Sequence, residues 1–292
     1  MKTSTKLVAF GLAATCATLG GSRVFAGYDE APQTSAEAMT CTTSPLPFDT
    51  ISTSKGDIKI TPILHASIQI EYRGKVIIVD PISAGNYRKK ADVILITHSH
   101  PDHLDLRAIN RVVRNETPVL APQSAVFQAA LPKDVNGWFP NFVYVKNGGR
   151  KTIGGISVQA VPAYNTVRGP KPGAKFHPKG AFNGYVLILG GKRIYIAGDT
   201  EATPEMRALK NIDAAFLPMN LPYTMTPQEA ANAVRAFKPK IVYPYHFRYP
   251  FDKQNTNVQQ FAAALRGSKT QVRVLDWYNA APVARFMAAQ KR

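Results

Sequence analysis

Four side chains able to bind a metal fall within six positions: His98, His100, Asp102 and His103, in the stretch Thr-His-Ser-His-Pro-Asp-His-Leu-Asp. Half of the chain's six histidines lie here. Imidazole and carboxylate are the ligand types that suit zinc, iron or manganese. His98 and His100 alternate in an extended segment, so both rings can reach one ion. Pro101 then forces a turn, which lets Asp102 and His103 point to a second ion beside the first.

These donors need an element to hold them. Ala91 to Thr97 is a short apolar run rich in β-branched residues, which predicts a buried, parallel strand. Open α/β sheets place their sites at the carboxyl ends of such strands. Two other strand ends carry donors. Tyr195-Ile196-Ala197 leads into Gly198-Asp199-Thr200, where the glycine lets the backbone turn close to the site and Asp199 can bridge two ions. Ile241-Val242-Tyr243-Pro244-Tyr245 leads into His246.

The pattern His-x-His-x-Asp-His after a hydrophobic strand resembles the metallo-β-lactamase superfamily of dinuclear metallohydrolases, over roughly residues 56 to 278. Within it the best match is the branch of ascorbate-6-phosphate lactonase-like proteins and N-acyl-phosphatidylethanolamine phospholipase D. The resemblance implies a four-layer αββα sandwich, where periodicity alone gives only mixed α/β. It implies that Asp80, in the strand-ending Asp80-Pro81, sits beneath the metal site. It makes Asp199 the bridging aspartate and His246 the last histidine of the second site. His65, in His-Ala-Ser, matches the first-strand pattern and is expected as a catalytic pocket residue with Asp102.

One ligand departs from the family pattern. The strand ending Val161-Pro162-Ala163 is usually followed by histidine, and here by Tyr164-Asn165. The unassigned histidine downstream is His177, in Phe-His-Pro-Lys-Gly. Some relatives resembling this branch share both features, so His177 is expected to complete the first site. The alternative is a first site with fewer protein ligands.

The resemblance implies two divalent ions, zinc first and manganese or iron(II) as alternatives, flanking a water whose pKa they lower. The resulting hydroxide would attack an ester, lactone or phosphoester, with Asp102 binding the second ion and holding or relaying a proton. The loop Thr166 to Gly180 carries Arg168, Lys171, Lys175 and Lys179 and is expected to bind an anionic, small or lipid-like substrate. Tyr164, Asn165, Tyr223 and Arg248 are expected neighbours of that substrate. The Asp199 type of bridge argues against β-lactam hydrolysis. Two other classes remain: a non-catalytic metal-binding sensor, favoured by the absent histidine after Ala163, and an iron redox enzyme. Diiron relatives carry Glu where this chain has His100, and a flavin-binding partner domain, which this chain lacks.

Composition allows an enzyme-sized core: of 292 residues 45% are hydrophobic and 19% charged. Residues 1–26 read as a cleavable signal peptide, with basic Lys2 and Lys6, an apolar Leu7–Leu19 too short to span a bilayer, and Val24-Phe25-Ala26 as the cleavage site. Export to a bacterial periplasm, or secretion, is therefore expected. Cys16 leaves with the leader, and Cys41 alone forms no internal disulfide. The net charge is +17, and loss of Lys2, Lys6 and Arg23 leaves +14, a field that favours anionic partners. No nucleic-acid-binding motif is visible. Gly27–Ser54 reads as an irregular extension, and 55–292 as one domain. Expected strands are Ile58–Ile70, Lys75–Val79, Pro118–Pro122, Phe142–Val145, Ile156–Ala163, Tyr185–Leu189, Arg193–Ala197, Ala214–Leu217, Ile241–Pro244 and Gln271–Trp277. Expected helices are Leu106–Arg114, Ser124–Leu131, Met206–Lys210, a helix capped by Thr226-Pro227-Gln228-Glu229 that runs to Phe237, and Asn257–Arg266.

Overall fold

The structure is a computed structural model that describes residues 47–130, 140–248 and 256–278. The chain divides into two units, Met1–Ala38 and Met39–Arg292, and every described residue belongs to the second. The expected signal peptide, Cys41 and Leu131 lie outside the described residues.

The first half builds one sheet: β1 (Asp49–Ile51), β2 (Ile58–Leu64), β3 (Ser67–Tyr72), β4 (Lys75–Val79), β5 (Val93–Leu95), helix α1 (Leu106–Val112), β6 (Pro118–Ala121), α2 (Gln123–Ala130) and β7 (Asn141–Tyr144). The second half builds another: β8 (Arg150–Ile153), β9 (Ile156–Ala163), β10 (Phe182–Leu189), β11 (Lys192–Ile196), α3 (Pro204–Arg207), β12 (Ala214–Pro218), α4 (Pro227–Phe237), β13 (Ile241–Tyr245), α5 (Val258–Ala264) and β14 (Gln271–Val272). Among the described residues each sheet has seven strands in simple sequence order. One large apolar core joins inward residues of both sheets, such as Ile60, Leu95, Leu187 and Phe216. A second core lies under α1 and α2, where Ile94 and Val119 meet Ile109 and Ala125. The helices of the second half, α3, α4 and α5, add Met206, Val234 and Phe261 to the large core. This is the αββα sandwich.

Turn chemistry sets the hairpins. Arg73 and Gly74 have φ of 49° and 77°, and Gly190 and Gly191 have 56° and 81°. Positive φ at both central residues matches the right-handed twist of the flanking strands. Each turn joins a directly paired couple, Tyr72 with Lys75 and Leu189 with Lys192. In α4 the Thr226 hydroxyl accepts from Glu229 N while the Glu229 carboxylate accepts from Thr226 N, so the reciprocal cap read from sequence is present.

Three expectations are corrected. Ile58–Ile70 is not one strand: His65, at φ 61°, breaks it into β2 and β3. That break turns the His65 ring into the site. The extension expected to be irregular through Ser54 contains β1, which pairs with β2 from Asp49↔Ile60 to Ile51↔Ile58. Gln271–Trp277 keeps only Gln271–Val272 as regular strand: Arg273 N still donates to Val242 O and Leu275 makes a single bridge, and Trp277 is buried with its Nε1 donating to Pro244 O. Strand β8 was not foreseen: three of its four residues are exposed, so no alternation of burial marks it.

The site is placed by strand ends. β5 pairs in parallel with β4 and β6, and β12 in parallel with β11 and β13. Asp80 follows β4, His98 follows β5, Asp199 follows β11 and His246 follows β13.

Candidate metal centre

The strand-end donors meet. Ligand atoms of His98, His100 and His177 lie within 4.8 Å of one another, and so do those of His98, His103 and Asp199. His103 and His246 bring their Nε2 atoms to 3.0 Å. Asp199 stands between the groups. Its Oδ2 is 3.4 Å from His177 Nε2, while its Oδ1 is 3.5 Å from His103 Nε2 and 3.3 Å from His246 Nε2. Asp102 Oδ2 is 3.6 Å from His103 Nε2 and 3.5 Å from His246 Nε2.

Hydrogen bonds decide which ring nitrogens face inward. Asp80 accepts from Thr97 N at 2.7 Å, Thr97 Oγ1 at 2.6 Å and His103 Nδ1 at 2.8 Å. With its one proton spent on Asp80, the Thr97 hydroxyl accepts from His98 Nδ1 at 2.9 Å. Asn165 Oδ1 accepts from His177 N and His177 Nδ1, at 2.9 and 2.7 Å. His98 and His177 thus carry their proton on Nδ1 and offer a bare Nε2 to the site, while His103 points Nδ1–H at Asp80 and turns its Nε2 inward. Outer partners that fix the tautomer in this way are the usual support of metal-binding imidazoles. Asp80 therefore sits beneath the site as expected, and it acts on two rings, one of them through Thr97.

His65 belongs to a different relay. Tyr278 Oη accepts from Phe247 N and Arg248 N, at 3.1 and 3.2 Å, so its proton goes to His65 Nδ1 at 3.0 Å. His65 Nε2 must then carry the ring proton and donate to Asp102 Oδ2 at 3.1 Å. His65 stacks 3.7 Å from the His246 ring, centroid to centroid. Burial and the neighbouring His246 lower its pKa to about 3, which keeps the ring neutral.

The charges suit a cation. Burial, and then His103, hold the His98 pKa well below the usual histidine value, so Nε2 keeps its lone pair. Burial also lowers His100. Burial alone would raise Asp102 and Asp199, but His103, His246 and the other nearby imidazoles hold both carboxyls well below the usual range. His103 goes the other way: burial opposes its charge, yet Asp102, Asp199 and Asp80 raise it to about 9. Three carboxylates therefore draw positive charge to this point.

The donor set passes a geometric test. The pairings quoted among His103 Nε2, His246 Nε2, Asp102 Oδ2 and Asp199 Oδ1 span 3.0 to 3.6 Å. Tetrahedral ligands at zinc-like distances of about 2.0–2.1 Å are about 3.3–3.4 Å apart. His98 Nε2 in the other group, and Asp199 Oδ1 in this one, are buried with no hydrogen-bond partner among the described residues. Buried acceptors left unpaired are costly unless a cation lies beside them. The residues fit two metal ions, one group formed by His98, His100, His177 and Asp199, the other by Asp102, His103, Asp199 and His246.

Other predicted site residues fall elsewhere. Asn165 is buried and its amide is fully committed: Oδ1 to His177, and Nδ2 to Glu201 Oε1 and Tyr223 O at 3.1 and 2.8 Å. It is a support for His177 rather than a substrate contact. Lys175 Nζ donates to Thr166 O and Val167 O, at 2.9 and 2.7 Å, and so braces its own loop. Arg168 binds Glu201 and Glu229. Lys179 Nζ lies 5.0 Å over the Tyr164 ring and 3.6 Å from Glu205, to which Tyr164 Oη also donates. Arg168, Lys175 and Lys179 are thus each met by acceptors of the loop or of the residues beside it. The Tyr223 ring packs edge-on to Phe176 at 4.9 Å, and the Arg248 guanidinium lies 5.1 Å over Tyr278. Sequence reasoning missed Thr97, Phe182, Glu201 and Tyr278. Phe182 stands 5.0 and 5.5 Å from the His98 and His100 rings as an apolar wall. Glu201, two positions past Asp199, carried a weak signal in its place after Gly-Asp-Thr. Tyr278 carried none.

An αββα sandwich whose strand ends gather imidazoles around a shared aspartate is an architecture that metal-dependent hydrolases share. A family model for the β-lactamase superfamily domain matches residues 59–246. A UPF0173 metal-dependent hydrolase from Ligilactobacillus salivarius is 34% identical over 214 residues, 68% of this chain and 90% of that protein. A solved protein of Parabacteroides distasonis, to which metal-dependent hydrolase activity is attributed, shares 41% identity and a TM-score of 0.68, over 79% of this chain and 99% of that one. The metallo-hydrolase Igni18 from Ignicoccus hospitalis shares the fold at 22% identity and a TM-score of 0.59, over 76% and 96% of the two chains. The chain belongs to the metallo-β-lactamase superfamily.

Proposed function

We propose that this protein is a dinuclear metallohydrolase acting on an ester, lactone or phosphoester, with zinc as the first candidate metal. The observation that carries the reading is Asp199, whose two oxygens face two separate groups of imidazoles. His98, His100 and His177 would hold one ion and Asp102, His103 and His246 the other, with Asp199 shared. Bound metal of this kind supplies a water acidified to near neutrality and a Lewis acid for charge developing on the substrate.

The chain's own residues do the rest. Asp80, Thr97 and Asn165 keep three rings in the tautomer that offers Nε2. His65, neutral and protonated on Nε2, holds Asp102 by Oδ2 and leaves Oδ1 for proton transfer. Phe182 walls off one side of the His98/His100/His177 group from water. The net charge, +17 on the full chain and 17 − 3 = +14 without residues 1–26, favours anionic substrates reaching the protein. The sensor reading drew on the histidine absent after Ala163; His177, seated on Asn165, supports the enzyme instead. Export with cleavage after Ala26 is part of the proposal, and the mass of the mature chain from a periplasmic fraction tests it.

The functional test is turnover of bis-p-nitrophenyl phosphate, a p-nitrophenyl ester and a γ-lactone, with nitrocefin as the β-lactam comparison. Turnover of one of the first three, lost on chelation and in His246→Ala, is the expected result. Fully metallated protein inert towards all of them, or active on nitrocefin alone, would contradict the reading.

A further inference from the structure

We propose that Glu201 is a positioning residue that acts through Asn165 to aim His177 at the metal group. The inference rests on the metallohydrolase reading for its purpose, though the positioning itself stands on hydrogen bonds.

The buried Glu201 carboxylate accepts six hydrogen bonds. Oε2 takes Thr166 N at 2.9 Å, Thr166 Oγ1 at 2.5 Å and Val167 N at 2.8 Å. Oε1 takes Arg168 N at 2.8 Å, Arg168 Nη1 at 3.2 Å and Asn165 Nδ2 at 3.1 Å. Three of these donors are consecutive backbone N–H groups, so one side chain shapes the whole turn after Ala163. Arg168 then ties the turn to α4 by donating to both oxygens of Glu229, the capping residue of that helix.

The polarity of this arrangement runs in one direction. Glu201 Oε1 and Tyr223 O can only accept, so Asn165 must turn its NH2 toward them. Its Oδ1 then faces His177, where the backbone N–H can only donate and Nδ1 must carry the ring proton. Nε2 is left as the acceptor facing Asp199 Oδ2 at 3.4 Å. A second strap closes the same unit: Asn165 N donates to His177 O at 2.8 Å. A histidine directly after the strand would need none of this. Here the imidazole comes from a loop twelve positions further on, and Asn165 and Glu201 supply the rigidity that a strand end would have given.

Glutamine at 201 cannot replace the carboxylate. In either amide orientation its NH2 would face three donors, at least one of them a backbone N–H, and the turn must open. Asparagine 165 then loses its anchor, and His177 loses its fixed acceptor.

The test uses the full chain with two readouts. In metal-free, 15N-labelled protein, long-range 1H–15N correlation reads which His177 nitrogen is protonated. Wild type should show Nδ1–H. Glu201→Gln and Asn165→Ala should show a mixture of tautomers. In zinc-loaded protein after dialysis, wild type should retain two ions per chain. Both variants should bind one of the two about 10–100-fold more weakly, whereas Asp213→Asn, remote from the site, should lower stability without zinc loss. Should Glu201→Gln not fold, Asn165→Ala carries both readouts. Variants with a wild-type His177 tautomer and both ions held as tightly would overturn the proposal. Wild type that binds no zinc would sink the metallohydrolase reading, and the tautomer signal would then decide the positioning alone.

Discussion

His103 Nε2 and His246 Nε2 lie 3.0 Å apart although 143 positions separate them in the chain. One ring leaves the first sheet and the other leaves the second, so the metal group is a seam between the two halves. The spacing is that of an N–H···N hydrogen bond, and once the shared proton is displaced each ring offers a lone pair to the same point.

Removing one side of the seam should therefore remove one ion. In His246→Ala, zinc content should fall from two per chain to about one, with turnover reduced at least 100-fold, as for loss of a ligand. Elemental analysis beside steady-state kinetics reads both. The fold should survive, since the change deletes no part of the apolar core.

Tyr278→Phe removes only the hydroxyl that donates to His65 Nδ1 and accepts from Phe247 N and Arg248 N. His65 then loses the bond that fixes its tautomer, and its grip on Asp102 loosens. Turnover should drop about 10-fold or more, with zinc affinity lowered to a similar degree. Unchanged kinetics in a stably folded Tyr278→Phe would mean that the relay ends before Asp102.

Asp80→Asn should affect both metal groups at once. Its carboxylate accepts from Thr97 N, Thr97 Oγ1 and His103 Nδ1 in a fully buried place. An amide there meets at least one donor with a donor, and Thr97 no longer receives His98 in the same way. Two-ion affinity should fall, and the melting temperature with it. Loss of buried charge-assisted hydrogen bonds costs about 1.5–3 kcal/mol each.

Much of this was legible in the sequence because the strands are. Ala91–Thr97 reads as buried strand since its only polar residues are Asp92 at its start and Thr97 at its end, and the donors follow at once. Gly198-Asp199 and His246 were found for the same reason, at the ends of runs that must be buried. Gly198 has φ 65°, and a Cβ there would meet Asn183 O and Thr97 Cβ at 3.0 Å, so a glycine before Asp199 is a spatial requirement. The supports were less legible. Asp80 and Thr97 sit 17 positions apart, and His65 and Tyr278 213 apart, and no local period encodes such pairs. Asn165 was placed correctly in the chain but misread in role, because spacing shows neither that its side chain is buried nor that both ends of its amide are spent.

Acid stability tests the electrostatics away from the metals. Burial would raise the Asp213 carboxyl, but Lys240, Arg193 N and Lys192 hold it below the usual range. A depressed native pKa stabilises the fold above about pH 4 and ceases to do so as pH falls through the native value. Asp213→Asn should therefore cost about 0.5–1 kcal/mol near neutrality, a modest amount because the Lys240 side chain is 72% exposed and screened. The melting-temperature difference should shrink as the pH falls through the depressed native value.

The basic loop gives a contrasting prediction. Because Lys175 is held by two carbonyls and Lys179 by Tyr164 and Glu205, a Lys175→Ala/Lys179→Ala double variant should change KM for an anionic substrate less than threefold. A rise of tenfold or more, with kcat retained, would restore the loop as an anion clamp.

The central claim is that donors from both halves of the chain surround a pair of cations that share Asp199. Anomalous diffraction from zinc-loaded crystals, recorded on either side of the zinc edge, measures it directly. The account predicts two peaks, one among His98, His100 and His177, the other among Asp102, His103 and His246, with an oxygen of Asp199 toward each. Two fully occupied peaks elsewhere, or no peak at these residues, would contradict it.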